Sequence, residues 1–198
     1  MEKELVIASN NQDKLKEYQE MLSPLGYKLY SLKDLKIISD PVENGTSYQE
    51  NALIKAKAVS ALTAMPVIAD DSGIEFPALG GFPGIHTARY AKSIGGYPKA
   101  FVDLNERLIG KSKVAVYHCC ICLLSSKESK PHYFLGTCEG SLLSSPKGHN
   151  GFGYDPIFHF DKGNFNFGEV DEDTKNAVSH RHNALVALVN YLSKNSEK

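Results

Sequence analysis

Val67-Ile68-Ala69-Asp70-Asp71-Ser72-Gly73-Ile74-Glu75-Phe76 is the stretch on which the rest of the chain turns. Behind Pro66 it opens as a short apolar run, the pattern of a buried strand. Two adjacent carboxylates, a hydroxyl and a glycine follow, and alternation then resumes. Asp is disfavoured in a strand interior, so the pair is expected at a strand end, with Gly73 allowing a tight turn and close approach of a ligand. Successive strand side chains point to opposite faces. Asp70 and Asp71 therefore serve different purposes, one facing a site and the other supporting it. Alone, the stretch leaves two readings open: a divalent-metal or general-base site, or an acidic turn between hairpin strands.

Toward the N-terminus, Leu5 to Ser9 reads as a first, central strand, broken by Asn10-Asn11. A helix is expected from about Gln12 to Leu22, with Leu15, Tyr18 and Leu22 on one face. Strand, polar loop and helix present backbone N–H groups and a helix dipole to an anion. Lys14, in the first turn, opposes that dipole, which an anion in front of it would explain. A plain βα turn with a solvated lysine is the other reading, and the glycines of a Walker loop are missing. Tyr27 to Ser31 is a second strand. An irregular stretch with Asp40, Pro41 and Glu43 leads to Ser47-Tyr48-Gln49-Glu50, a capping box. It opens an alanine-rich helix running to about Thr63, with Lys55 more than a turn inside. Glu50 has a capping role, whereas Glu43 has no such local one.

Toward the C-terminus, Gly80 to Gly84 forms a rigid loop leading to Thr87-Ala88-Arg89-Tyr90. Pro98 to Ile109 reads as a helix between Gly96 and Gly110. Lys113 to Ser125 and His132 to Leu143 read as two long strands of a hairpin. Lys147 to Asp155 is a second glycine-rich loop, carrying Phe152 and Tyr154. Pro156 to Phe160 returns to strand, and Asp161 to Lys175 reads as loop. The last helix spans Ser179 to Leu192, with Ala184, Leu185, Leu188, Val189 and Leu192 as its buried stripe. His180 and Arg181 in its first turn are electrostatically out of place unless they face a ligand. Ser193 to Lys198 is expected to fray.

Size and charge bound the function. The 198 residues suffice for one sizeable domain or two tightly joined lobes. A net charge of −1 provides no footprint for nucleic acid or an anionic membrane. No apolar run reaches the length of a membrane span, and the N-terminus enters a strand directly, without a signal peptide. Cys119, Cys120, Cys122 and Cys138 lack zinc-ligand spacing and read as reduced core thiols of a cytoplasmic protein. His118, His132, His149, His159 and His182 match no ligand spacing and read as structural or solvated.

One ligand accounts for the remaining features. Lysine and helix N-termini hold phosphate oxygens, and carboxylates hold Mg²⁺, which bridges phosphates. Glycines flanking Phe152 and Tyr154 admit a flat ring. His180 and Arg181 are donors suited to the acceptor edge of a base, and Lys175 is a further cation to be explained. The inferred ligand is a nucleotide carrying several phosphates.

Ser9-Asn10-Asn11…Lys14, Ser47-Tyr48-Gln49-Glu50-Asn51-Ala52, Ala69-Asp70-Asp71-Ser72-Gly73, Gly81-Phe82-Pro83-Gly84…Ala88-Arg89-Tyr90, Gly151-Phe152-Gly153-Tyr154-Asp155-Pro156 and Ser179-His180-Arg181 occur in that order. The ordered set resembles the inosine/xanthosine triphosphate pyrophosphatases over nearly the whole chain. The resemblance implies an α/β fold: an elongated mixed sheet flanked by helices, two lobes with a central substrate cleft, and residues 1–198 as one domain of a homodimer. It also implies Mg²⁺-dependent water attack on the α-phosphorus of ITP, dITP or XTP, yielding the monophosphate and pyrophosphate. On this chain Ser9, Asn10, Asn11, Gln12, Asp13 and Lys14 would cradle the triphosphate, with Lys55 as a further phosphate contact. Asp71 would be general base and metal ligand, with Glu43 as the other ligand and Asp70 and Glu50 as further candidates. Ser72 would touch substrate. Phe152, Gly153, Tyr154 and Asp155 would wall the base and sugar pocket, and Lys175, His180 and Arg181 would recognise the base.

A purine 6-keto oxygen would accept from His180 or Arg181, whereas the adenine amino group would set donor against donor. GTP shares the 6-keto group, so its rejection would need exclusion of the 2-amino group. Lys92, where many relatives have glycine, and a shortened Ser93 to Lys99 depart from the family pattern. The competing readings are a pyrophosphatase for other modified nucleotides, a nucleotide sensor that does not hydrolyse, and a phosphatase with an aspartyl nucleophile, whose Asp-x-Asp pattern after the first strand is missing here.

Overall fold

In a computed structural model, residues 3–196 are described. The strands are β1 (Lys3–Ile7), β2 (Tyr27–Ser31), β3 (Val67–Phe76), β4 (Phe82–Pro83), β5 (Val114–Leu124), β6 (His132–Leu142), β7 (Phe158–Phe160) and β8 (Phe165–Asn166). The helices are α1 (Gln12–Leu22), α2 (Tyr48–Ser60), α3 (Thr87–Ser93), α4 (Tyr97–Arg107), α5 (Glu172–Asn176) and α6 (His180–Ser196). One mixed sheet runs in the order β2-β1-β3-β5-β6-β7-β8, with β4 also paired to β3. β1 is parallel to β2 and β3, whereas β3–β4, β6–β7 and β7–β8 are antiparallel.

The chain divides into two compact units. One comprises residues up to 71, 119–136 and from 181, and the other comprises 72–118 and 137–180. In the first unit, strand alternation sorts the core into two layers. Leu5, Ile7, Ile68, Cys119, Ile121 and Leu123 pack with Leu15, Tyr18 and Leu22 of α1 and Ala184, Leu185 and Leu188 of α6. Val6, Ala8, Val67, Ala69, Cys120, Cys122 and Leu124 pack with Ala52, Ala56 and Val59 of α2. In this first part of β3, Ile68 thus faces α1 and α6, and Val67 and Ala69 face α2. The small side chains of α2 let that helix lie close to the sheet.

In the second unit, Ile74 and Phe76 of β3, Ala115 and Tyr117 of β5 and Leu142 of β6 pack with α3, α4 and the aromatic set Tyr154, Phe158 and Phe167. Pro98 lies in the first turn of α4, where its missing N–H costs nothing.

Several expectations shift. β3 does not end at its aspartates: it continues to Phe76, and Gly73 lies within the strand rather than in a turn. Ion pairs offset the poor strand propensity of Asp there. Glu50 accepts from Thr46 N (2.6 Å) and Thr46 Oγ1 (2.9 Å), while Ser47 Oγ accepts from Glu50 N (3.2 Å), so the box closes one residue early. Residues 155–157 form a 3-10 turn before β7. The stretch read as loop from Asp161 to Lys175 contains β8 and most of α5, and α3 was not foreseen. α6 runs through Ser196, beyond the expected fraying point, and residues 197–198 lie outside those described.

All four cysteines are free and buried. Burial pushes the thiols of Cys120, Cys122 and Cys138 up to about 12, and burial with the neighbouring Asp70 raises Cys119 as well. A thiolate is the reactive form. The native protein at neutral pH is therefore expected to leave all four thiols unmodified by an excess of a colorimetric disulfide reagent, and to react fully once unfolded in guanidinium.

Candidate active site

The two adjacent aspartates occupy opposite faces of β3, as a period of two requires. Asp70, with Ile68, faces α1 and α6. Its Oδ2 accepts from Lys14 Nζ at 2.8 Å, Arg181 Nε at 3.4 Å and Cys119 Sγ at 3.9 Å. Arg181 is 1% exposed, and its Nη1 also donates to both Glu17 oxygens at 2.9 and 3.2 Å. Asp71, with Ala69, faces α2. Its Oδ1 accepts from Lys55 Nζ at 3.0 Å and its Oδ2 from Asn51 Nδ2 at 3.2 Å. Lys55 Nζ also lies 3.4 Å from Glu43 Oε1. Each aspartate therefore has its own lysine, delivered by a different helix.

Burial alone would raise the Asp70 carboxyl, but Lys14 and Arg181, with Lys55 behind them, hold it well below the usual carboxylate range. Burial would likewise lower the Lys55 ammonium, and Asp71, Asp70 and Glu43 outweigh that and raise it.

The strand–helix turn before Lys14 is organised by its own side chains. Ser9 Oγ accepts from Asn11 N at 3.2 Å, and Asn11 Oδ1 caps α1 by accepting from Asp13 N at 2.9 Å and Lys14 N at 3.2 Å. Asn10, Gln12 and Asp13 are exposed. A phosphate oxygen could take over the N–H groups that Asn11 now satisfies.

In the second unit, Asp155 is a buried hub. Its Oδ1 accepts from Tyr117 OH at 3.2 Å, and its Oδ2 from Phe152 N at 2.8 Å and Lys175 Nζ at 2.7 Å. The Lys175 ammonium also sits over the Phe152 ring, 4.5 Å from its centroid. Gly151, at φ +72°, makes room for this hub, since a Cβ there would lie 2.2 Å from Asp155 Oδ2. His180 stacks on Tyr117 with centroids 4.6 Å apart and planes 7° from parallel. Tyr154 is buried against Tyr97, and its hydroxyl donates to Thr87 O at 3.4 Å. Ser72 and Gly153 are half-buried.

The first unit thus brings together Lys14, Glu43, Lys55, Asp71 and Arg181, and the second brings together Phe152, Asp155, Lys175 and His180. Sequence reasoning passed over Glu17, Asn51 and Tyr117. Glu17 follows Lys14 by three residues and Asn51 precedes Lys55 by four, so helical spacing puts each on its lysine's face. Nothing local in the sequence marks Tyr117.

The donor set suits a hard divalent cation. Glu43 and Asp71 already flank one positive charge, and Asp70 Oδ1 is buried without a hydrogen-bond partner among the described residues. No three His, Cys, Asp or Glu side chains form a ready cage among those residues. Mg²⁺ commonly needs only one or two carboxylates, with water and substrate phosphates completing its shell.

The model of the Ham1 family matches residues 5–191. A dITP/XTP pyrophosphatase of Halalkalibacterium halodurans is 38% identical over 193 residues, covering 96% of this chain and 99% of that protein. One from Leptospira interrogans is 40% identical over 195 residues, covering 97% and 98%. A solved HAM1 protein from Coxiella burnetii superposes with a TM-score of 0.89 at 36% identity, covering 96% of this chain and 98% of that one. The Staphylococcus aureus Ham1 protein does so at 0.81 and 35%, covering 98% and 100%.

The Asp70 network carries a pH signature. A carboxyl whose folded pKa lies below its unfolded value of about 3.9 contributes stability above that value and loses it as pH falls through the folded pKa. The unfolding free energy is expected to drop as pH is lowered below about 4, with a shallower drop in Asp70→Asn. Glu17→Gln, which removes charge beside buried Arg181, is expected to lose about 3 kcal/mol at neutral pH. Denaturant titrations across pH check both.

Proposed function

The chain belongs to the Ham1 family, and on that premise we propose that it hydrolyses deaminated purine nucleoside triphosphates (dITP, ITP and XTP) to the monophosphate and pyrophosphate. It thereby sanitises the nucleotide pool, with the whole chain, 1–198, working as one pyrophosphatase domain. The observation that carries the reading is Asp71, buried on the α2 face and gripped through both oxygens by Lys55 and Asn51.

Asp71 is the general base. Asn51 fixes its carboxylate, and the lone pairs left when Lys55 turns to phosphate can orient a water and take its proton. Asp71 and Glu43 would also hold Mg²⁺, which when bound neutralises phosphate charge and supports in-line displacement at the α-phosphorus. Lys14, Lys55 and the Ser9–Asp13 turn bind the triphosphate, exchanging carboxylate or cap partners for phosphate oxygens. Ser72, next to the base, contacts substrate.

In the second unit, Phe152, Gly153, Tyr154 and Asp155 support the base and sugar. Tyr154 does so from the core, while Asp155 holds the Phe152 backbone and Lys175 in place. Lys175 and His180 supply donors to the 6-keto oxygen. Arg181 commits its guanidinium to Glu17 and Asp70 and serves recognition by anchoring the start of α6. A cytoplasmic homodimer completes the reading. Buried, reduced thiols fit that compartment, and exposed apolar side chains such as Leu135 and Ile109 suit a subunit contact.

Pyrophosphate release with Mg²⁺ tests the proposal. Fast release from ITP, dITP and XTP is expected, with little from ATP and GTP. Asp71→Asn is expected to lower kcat by about 10²–10⁴-fold while still folding. Binding of ITP without release would support a sensor instead, and preference for a modified pyrimidine would reject the base-recognition assignment.

A further inference from the structure

Lys55 stands where two requirements of the proposed reaction collide. Its ammonium lies 3.0 Å from Asp71 Oδ1 and 3.4 Å from Glu43 Oε1. Those carboxylates are the pair assigned to Mg²⁺, which draws its oxygen ligands in to about 2.0–2.1 Å. An ammonium and a divalent cation held by that pair repel each other, and at Lys55 and Asp71, which are largely desolvated, screening is weak.

We propose that Lys55 is an internal cation for the Glu43–Asp71 pair, displaced when a divalent cation takes those carboxylates and thereby released to the substrate's phosphates. The identity of the phosphate ligand rests on the function proposed above.

Three features favour an exchange over a static bridge. Asn51 holds the other Asp71 oxygen at 3.2 Å, so the carboxylate stays in place while the lysine leaves. Lys55 has a long, flexible stem and a compact head able to change partners. Asp70, the neighbouring charge, keeps the buried Arg181 at 3.4 Å, so the departure of Lys55 does not leave it uncompensated. The metal and the nucleotide then favour each other's binding, since the metal frees Lys55 and the phosphates receive it. Such coupling is reciprocal.

The test is Mn²⁺ binding to the chelator-treated full chain without nucleotide, followed by calorimetry and by electron paramagnetic resonance of the free ion. Lys55→Met and Lys55→Gln are each expected to bind Mn²⁺ at least about tenfold more tightly than wild type, as loss of a competing charge implies. Lys55→Gln keeps a donor toward Asp71 and serves if Lys55→Met fails to fold. Lys55→Arg, which retains the charge, is expected to bind no more tightly than wild type. Adding Asp71→Asn to Lys55→Gln is expected to abolish the gain. Unchanged or weaker Mn²⁺ affinity in the neutral variants overturns the proposal, as does a gain that survives Asp71→Asn. Pyrophosphate release is scored separately. Tighter Mn²⁺ binding in the Lys55 variants together with a wild type that cleaves no ITP supports the competition and rejects the catalytic reading; ITP cleavage by wild type with no gain in the variants rejects only the competition.

Discussion

Two adjacent carboxylates in a buried strand point to opposite faces of the sheet, and each needs hydrogen-bonding partners from its own side. This constraint shapes the first unit. Asp70 and Asp71 lie within β3, nearly inaccessible to solvent, where an unpaired carboxylate would be expensive. The layer of α1 and α6 supplies Lys14 and Arg181 to one, and the layer of α2 supplies Lys55 and Asn51 to the other. Elements far apart in sequence are thus tied to consecutive residues of a single strand.

The arrangement is not chiefly a source of stability. Buried ion pairs often do no better than a well-packed apolar core, while the loss of one partner is severe. Their value lies in what the cations can exchange. In the function proposed above, Lys14 and Lys55, whose ammonium groups end flexible stems, pass from carboxylate to phosphate. Arg181, fully buried and fastened to Glu17, is the fixed member of the set. In the second unit, Asp155 gathers a tyrosine hydroxyl, a backbone N–H and a lysine into a single anchor, so the Phe152 ring and the Lys175 ammonium are held in place relative to each other.

Much of this was legible in the sequence, for identifiable reasons. Period-two alternation assigned the two aspartates different faces, and helical spacing found the buried sides of α1 and α6. Lys14 and Arg181, out of place at helix starts, find their explanation first in buried carboxylates, Asp70 and Glu17. The pairings were not legible, because they join residues far apart in the chain: Arg181 with Glu17, and Asp155 with Tyr117 and Lys175. The continuation of β3 past Asp71 was missed because intrinsic propensity argued against it and tertiary ion pairing overrode propensity. α3 and α5 were missed because such short helices carry too little periodicity to register.

The most direct measurement is a crystal structure of the wild-type chain with Mg²⁺ and an ITP analogue whose α,β-bridging oxygen is replaced by an imido group. The account predicts that Lys14 and Lys55 leave Asp70 and Asp71 for phosphate oxygens, while Asn51 stays on Asp71 and Arg181 stays on Glu17. A bound nucleotide with both lysine–aspartate pairs intact would contradict it.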